Sequence, residues 1–188
     1  IDVKQKEILV DVRIYDDFGR YWICFTHDSS KVIAPDDGNH ELKIIDIFAA
    51  EMTGTGVRLY WYGGGSTVAT SPDGRYIACM DIMRSDGKWW YVRIFGRGFG
   101  ILKVIEKVEE YYKVPNRSRP PLVVFSPDGR YFAYWGRLVK VWSVPNFEPV
   151  EKDLDTSVAF GAVSPDGKYF AVPRGNALHL HEAVLYVL

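Results

Sequence analysis

The chain has 188 residues, 47% of them hydrophobic, 15% aromatic and 25% charged, which is too apolar for a disordered chain and bounds it at one or two globular domains. A formal net charge of −1 gives the whole molecule no electrostatic pull towards nucleic acid or anionic membrane.

Taken in chain order, residues 1–17 contain EILVDVRIYDD, an alternating segment that predicts one leading strand. THDSSKVIA at 26–34 then reads as a turn running into a strand, and LKIID at 42–46 as a second strand with apolar first and third positions. FAAEMTGTG follows as a hairpin connection to an outer strand. Gly63, Gly64 and Gly65 let the chain cross from that outer strand to the next inner one, TVAT. SPDGRYIAC at 71–79 is a turn and a strand, RSDGK at 84–88 a turn, VRIFG at 92–96 a strand and GRGFG at 96–100 a connection. VIEKVEEYYK at 104–113 has a helical alternative, with Val104, Val108 and Tyr111 on one face, but its position predicts a long outer strand. After the insertion YYKVPNRSRPP at 111–121 the same order returns as LVVF, SPDGRYFAY at 126–134, VKVWS at 139–143 and PNFEP at 145–149. It returns once more as FGAV, SPDGKYFAV at 164–172, LHLHE at 178–182 and VLYVL at 184–188.

These are four copies of one unit. The turn-and-strand signature starts at 26, 71, 126 and 164, and the second signature ends at 46, 96, 143 and 182. In SPDG the proline presets φ, the aspartate bonds to local backbone and the glycine accepts a positive φ. The repeats divide the chain into a leading strand at 1–17 and units at 18–62, 63–112, 113–156 and 157–188, each of about four hairpin-linked strands. Glu182–Ala183 is the expected connection to the last strand. One such unit cannot bury both its faces alone, so the units must stack.

With those residues in view, the chain resembles the WD40 and TolB-type (WD40-like) β-propeller repeats. The SPDG-Arg/Lys-Tyr stretches look like the turn between the first two strands of a blade, and VKVWS like the end of its third strand. Trp142 is followed by Ser143, while Asp46 follows Ile45, so no copy carries an intact Trp-Asp pair, and no Gly-His dipeptide precedes the repeats. The resemblance implies an all-β propeller of about four four-stranded antiparallel blades, alone or as part of a larger propeller. In such propellers a leading strand often completes the last blade. The resemblance further implies a non-catalytic protein–protein interaction scaffold that binds through rim loops. Its alternative is the gating or substrate-access propeller of a larger enzyme, such as a prolyl-oligopeptidase-like hydrolase.

Candidate chemistry is sparse. His179 and His181 would share one face of a strand and could meet one metal ion, but no third ligand is identifiable, and the polar face of a strand accounts for both. Gly63–Ser66 lacks the final glycine of a nucleophile elbow, and no Lys-Ser/Thr or helix follows it to cradle phosphate. The aspartates of the SPDG turns recur too regularly to be catalytic. Cys24 and Cys79 sit in apolar runs and read as buried, reduced side chains, with one disulfide as the alternative. The binding candidates are Tyr112, Lys113, Arg117 and Arg119 of the 111–121 insertion, with Trp61 and Trp89, alongside Tyr62 and Trp90, as exposed anchors. The expected protein has no catalytic residues, metal or cofactor. Its expected partner is another protein rather than nucleic acid. No run reaches the ~20 apolar residues of a membrane helix, no signal peptide is visible, and the cytoplasm is the favoured compartment.

Overall fold

The computed structural model describes residues 23–36, 40–59, 67–82, 89–110, 121–136 and 138–150, together with strand segments 154–155, 162–163, 169–173 and 183–187. Fifteen strands and no helix occur among the described residues. Four antiparallel sheets take them in chain order. The first holds β1 (Cys24–Phe25), β2 (Lys31–Asp36), β3 (Glu41–Asp46) and β4 (Glu51–Arg58). The second holds β5 (Thr67–Thr70), β6 (Tyr76–Ile82), β7 (Trp89–Gly96) and β8 (Ile101–Glu110). The third holds β9 (Leu122–Phe125), β10 (Tyr131–Trp135), β11 (Leu138–Ser143) and β12 (Leu154–Asp155). The fourth has three described strands, β13 (Ala162–Val163), β14 (Tyr169–Pro173) and β15 (Ala183–Val187).

The second strand of each unit begins just after its SPDG or SPDG-like turn, as the sequence predicts. Residues 104–110, where a helix was the alternative, lie in β8, which pairs with β7 and carries register shifts along its length. Two expectations are corrected. The first outer strand starts at Glu51, inside the segment read as a connection. In the last unit, the strand that pairs with β14 on the side away from β13 is Ala183–Val187, where LHLHE at 178–182, which lies outside the described residues, was expected. Residues 184–187 of the segment expected as a fourth strand thus lie in the third strand of this sheet. LHLHE alternates and AVLYV is a continuous apolar run, and both patterns are strand-like, so local pattern did not separate them.

Two-sided burial organises the core. Along β6, Ile77 and Cys79 join a cluster with Ile33, Leu42 and Val57 of the first sheet, while Ala78 and Met80 join one with Phe125, Phe132 and Tyr134 of the third. Strand β10 divides likewise, Phe132 and Tyr134 to one face, Ala133 and Trp135 to the other. The second sheet is thus sandwiched between its neighbours. Polar bonds cross the same seams. The Thr70 hydroxyl donates to the Phe25 carbonyl at 2.8 Å, and that of Thr67 to the Pro121 carbonyl at 3.1 Å.

Each of the two described SPDG turns is a closed hydrogen-bond circuit. The Ser71 hydroxyl donates to Asp73 Oδ1 at 2.6 Å, the Arg75 amide donates to the same oxygen at 3.0 Å, and the Tyr76 amide donates to Ser71 Oγ at 2.9 Å. Ser126, Asp128, Arg130 and Tyr131 repeat all three bonds. Thr26, Asp28, Ser30 and Lys31 repeat them again, so the degenerate THDSSK builds the same turn. Gly74 and Gly129 hold φ of +65° and +73°, and Ser29 takes their place in the first copy at +56°.

Candidate functional site

The turns at one end of the first two sheets enclose a cleft of about 340 Å³. Its first wall is the THDSSK turn with Lys31 and Ile33; its second is Thr70, Gly74 and Ile77, capped by Arg97 and Phe99 of the β7–β8 hairpin. Ile33, Ile44, Ile77 and Phe99 make its apolar lining. The two turns meet closely at its edge: a Cβ built on Gly74 would lie 2.8 Å from the His27 Cβ.

The charges around the cleft are mostly committed. Asp28 accepts from the Thr26 hydroxyl and from the Ser30 amide and hydroxyl, which lowers its carboxyl from 3.8 to about 2. Lys31 turns across its own sheet to Asp46, with Nζ 2.6 Å from Oδ2. That bond, helped by the Ala49 and Phe48 amides, also holds Asp46 at about 2 and raises the Lys31 ammonium. Arg97 donates from Nε to the Gly74 carbonyl at 3.0 Å and from Nη2 to the Asp73 carbonyl at 2.8 Å. Among the described residues no carboxylate pairs with it. The cleft therefore joins an apolar floor to a guanidinium that has only backbone carbonyl partners among the described residues.

Elsewhere ion pairs are structural. Arg93 meets Asp81 at 2.8 Å on the second sheet, where both side chains are largely buried. Lys43 and Asp36 occupy the matching strand positions of the first sheet, 4.0 Å apart. Cys24 and Cys79 are free thiols, each pushed up to about 12 by burial. Cys79 is fully buried as expected, whereas Cys24 is only half-buried. No group of three or more His, Cys, Asp or Glu side chains among the described residues is arranged to hold a metal. No described helix is long and apolar enough to cross a membrane.

Of the residues singled out in the sequence, Trp89 is half-buried at the start of β7. Trp90 corrects its expectation: it is 2% exposed and belongs to the core between the second and third sheets, because β7 is covered on both faces. Trp61, Tyr62, Tyr112, Lys113, Arg117, Arg119, His179 and His181 lie outside the described residues, as does the segment 63–66. The cleft itself was missed. Its only sequence signal is that the first repeat departs from SPDGRY at several positions.

No family model matches the chain, and no curated protein matches it in sequence. Solved structures do. Hydrazine synthase of Kuenenia stuttgartiensis superposes with a TM-score of 0.61 at 18% identity, over 93% of this chain and 51% of that one. TolB from Acinetobacter baumannii gives 0.58 at 15% identity, over 89% and 43%. The dihydro-heme d1 dehydrogenase NirN, solved in complex with DHE, gives 0.55 at 14%, over 90% and 34%. The chain thus spans from about a third to about half of each. At these identities the likeness is one of fold. TolB is a β-propeller, and the succession of antiparallel sheets described above is consistent with part of such a fold.

Proposed function

We propose that the chain is a non-catalytic interaction module, built of about four WD40-like blades, that binds another protein through the loops at the ends of its sheets. The observation that carries this proposal is the open cleft between two rigidly bonded turns. It offers apolar surface and a cation, while the nearby carboxylates are already spent on their own backbone. Turn aspartates held this way stiffen a frame, and a rigid frame with exposed loop ends suits recognition. The 111–121 insertion, with Tyr112, Lys113, Arg117 and Arg119, is the second proposed contact, and Trp61 and Trp89 are proposed as anchors.

A second reading is favoured by one observation. The chain covers only part of each structural neighbour, and two of those neighbours are named as a synthase and a dehydrogenase. The alternative is therefore a propeller domain serving a larger enzyme. A pull-down with the natural full-length protein separates the two. The scaffold reading expects a stoichiometric protein partner, lost on changing Arg117 and Arg119 together while the circular dichroism spectrum is unchanged. Substrate turnover by the full-length protein without any such partner would instead establish the enzyme-domain reading.

A further inference from the structure

The cleft between the first and second sheets has a filled counterpart between the second and third. In every sheet the first residue of the second strand pairs with the last residue of the third: Lys31 with Asp46, Tyr76 with Gly96, Tyr131 with Ser143. Lys31 and Tyr76 are thus equivalent positions in consecutive repeats. Phe99 and Phe147 are equivalent too. Each is the last residue of its sheet's third hairpin, with φ of +61° and +54°.

Between the second and third sheets these positions close on each other. The Tyr76 ring meets the Phe147 ring edge-on at 5.3 Å, and Phe147 is 4% exposed. Lys103 fastens the arrangement by donating to the Asn146 and Phe147 carbonyls, each at 2.9 Å. Between the first and second sheets Phe99 arrives in the same way, but the partner position is Lys31, drawn aside to Asp46. Among the described residues that line the cleft, the only other ring is the imidazole of His27; no phenylalanine, tyrosine or tryptophan stands with Phe99 as Tyr76 stands with Phe147.

We infer that this cleft takes an aromatic side chain presented by a protein partner next to a carboxylate, the ring standing against Phe99 where Tyr76 stands against Phe147. The ring is argued from the filled neighbouring interface, and the carboxylate from Arg97, which has only carbonyl partners among the described residues. Aromatic pairs of this geometry gain beyond their buried area, and an arginine held in place by two bonds is a pre-organised carboxylate partner. The inference rests on the scaffold reading and names its partner's chemistry.

The test uses the chain with its isoleucine methyl groups isotopically labelled, since Ile33, Ile44 and Ile77 all line the cleft. The probes are the blocked peptides acetyl-Asp-Tyr-Glu-amide, acetyl-Asp-Ala-Glu-amide and acetyl-Lys-Tyr-Lys-amide. The acidic tyrosine peptide is expected to shift those three methyl signals saturably. The alanine peptide should not, and the lysine peptide should bind about ten-fold more weakly, the scale of one charged hydrogen bond. Lys31→Tyr should abolish the shifts without lowering the thermal midpoint, by supplying the missing ring from within. Should that variant fail to fold, Arg97→Gln is the second: it should erase the preference for the acidic over the lysine peptide. Unsaturable shifts, equal shifts from the alanine peptide, or undiminished binding to a folded Lys31→Tyr would overturn the inference. Equal affinity for free 4-hydroxyphenylacetate would reassign the cleft to a small aryl acid and overturn it too. A protein partner captured equally by wild type and Lys31→Tyr would sink the cleft proposal and leave the scaffold reading standing. Peptide binding without any captured protein would do the reverse.

Discussion

At the scale of the residue, the turn glycines do two different jobs with one backbone conformation. Gly74 and Gly129 both sit at positive φ, where a Cβ costs about 1 kcal/mol or more. Around Gly129 a Cβ would meet only the Pro72 Cδ at 3.9 Å, ordinary contact. At Gly74 it would press on His27 at 2.8 Å, so the first two turns would have to separate. Gly129→Ala is therefore expected to cost about 1 kcal/mol and Gly74→Ala clearly more, both read from urea melts. Equal losses would mean that the turns are not locked together at His27. The SPDG motif predicts the positive φ. That one glycine is also a contact between sheets is not legible, because His27 belongs to another repeat.

At the scale of the element, the third hairpin of one sheet is the fastener of the next seam. Phe147 leaves its own sheet's end to pack among Tyr76 and Phe132, at ring distances of 5.3 and 6.2 Å. Removing a buried phenylalanine loses its transfer energy and leaves a cavity. Phe147→Ala should destabilise the chain by about 3 kcal/mol, whereas Val150→Ala, on an exposed side chain a few residues on, should change stability little. Comparable losses from both would show that the hairpin does not hold the seam. PNFEP was readable as a hairpin connection from its prolines. That its phenylalanine is core, and not an exposed loop aromatic, depends on the second sheet being beside it.

At the scale of the whole molecule, the sheets share cores in sequence, first with second and second with third, so protection should follow depth within each sheet. Strands β6, β7 and β10 bury side chains on both faces, whereas the side chains of β4 are mostly exposed. Native-state hydrogen exchange is expected to find the slowest amides in β6, β7 and β10 and fast exchange along β4. Uniform protection across each sheet would instead mean that sheets open only as units.

The sequence by itself determined the unit. Three near-identical SPDG turns, a fourth disguised as THDSSK, and strand pairs after each turn were sufficient to state an all-β chain of stacked antiparallel sheets. Turn chemistry and strand alternation act over a few residues, and a few residues were on view. Where two neighbouring segments were both strand-like, the alternating LHLHE and the wholly apolar AVLYV, local pattern stopped deciding, and pairing with β14 chose the second. Tertiary structure alone decided which tryptophan is buried and where the cleft opens. Trp90 looks like a surface anchor until β7 is covered on both sides. The lysine at 31 looks like a minor lapse from the repeat until Phe99, 68 residues later in the chain, is found opposite the space a tyrosine would fill. Burial and vacancy are properties of two surfaces meeting, and each surface comes from a different copy of the repeat.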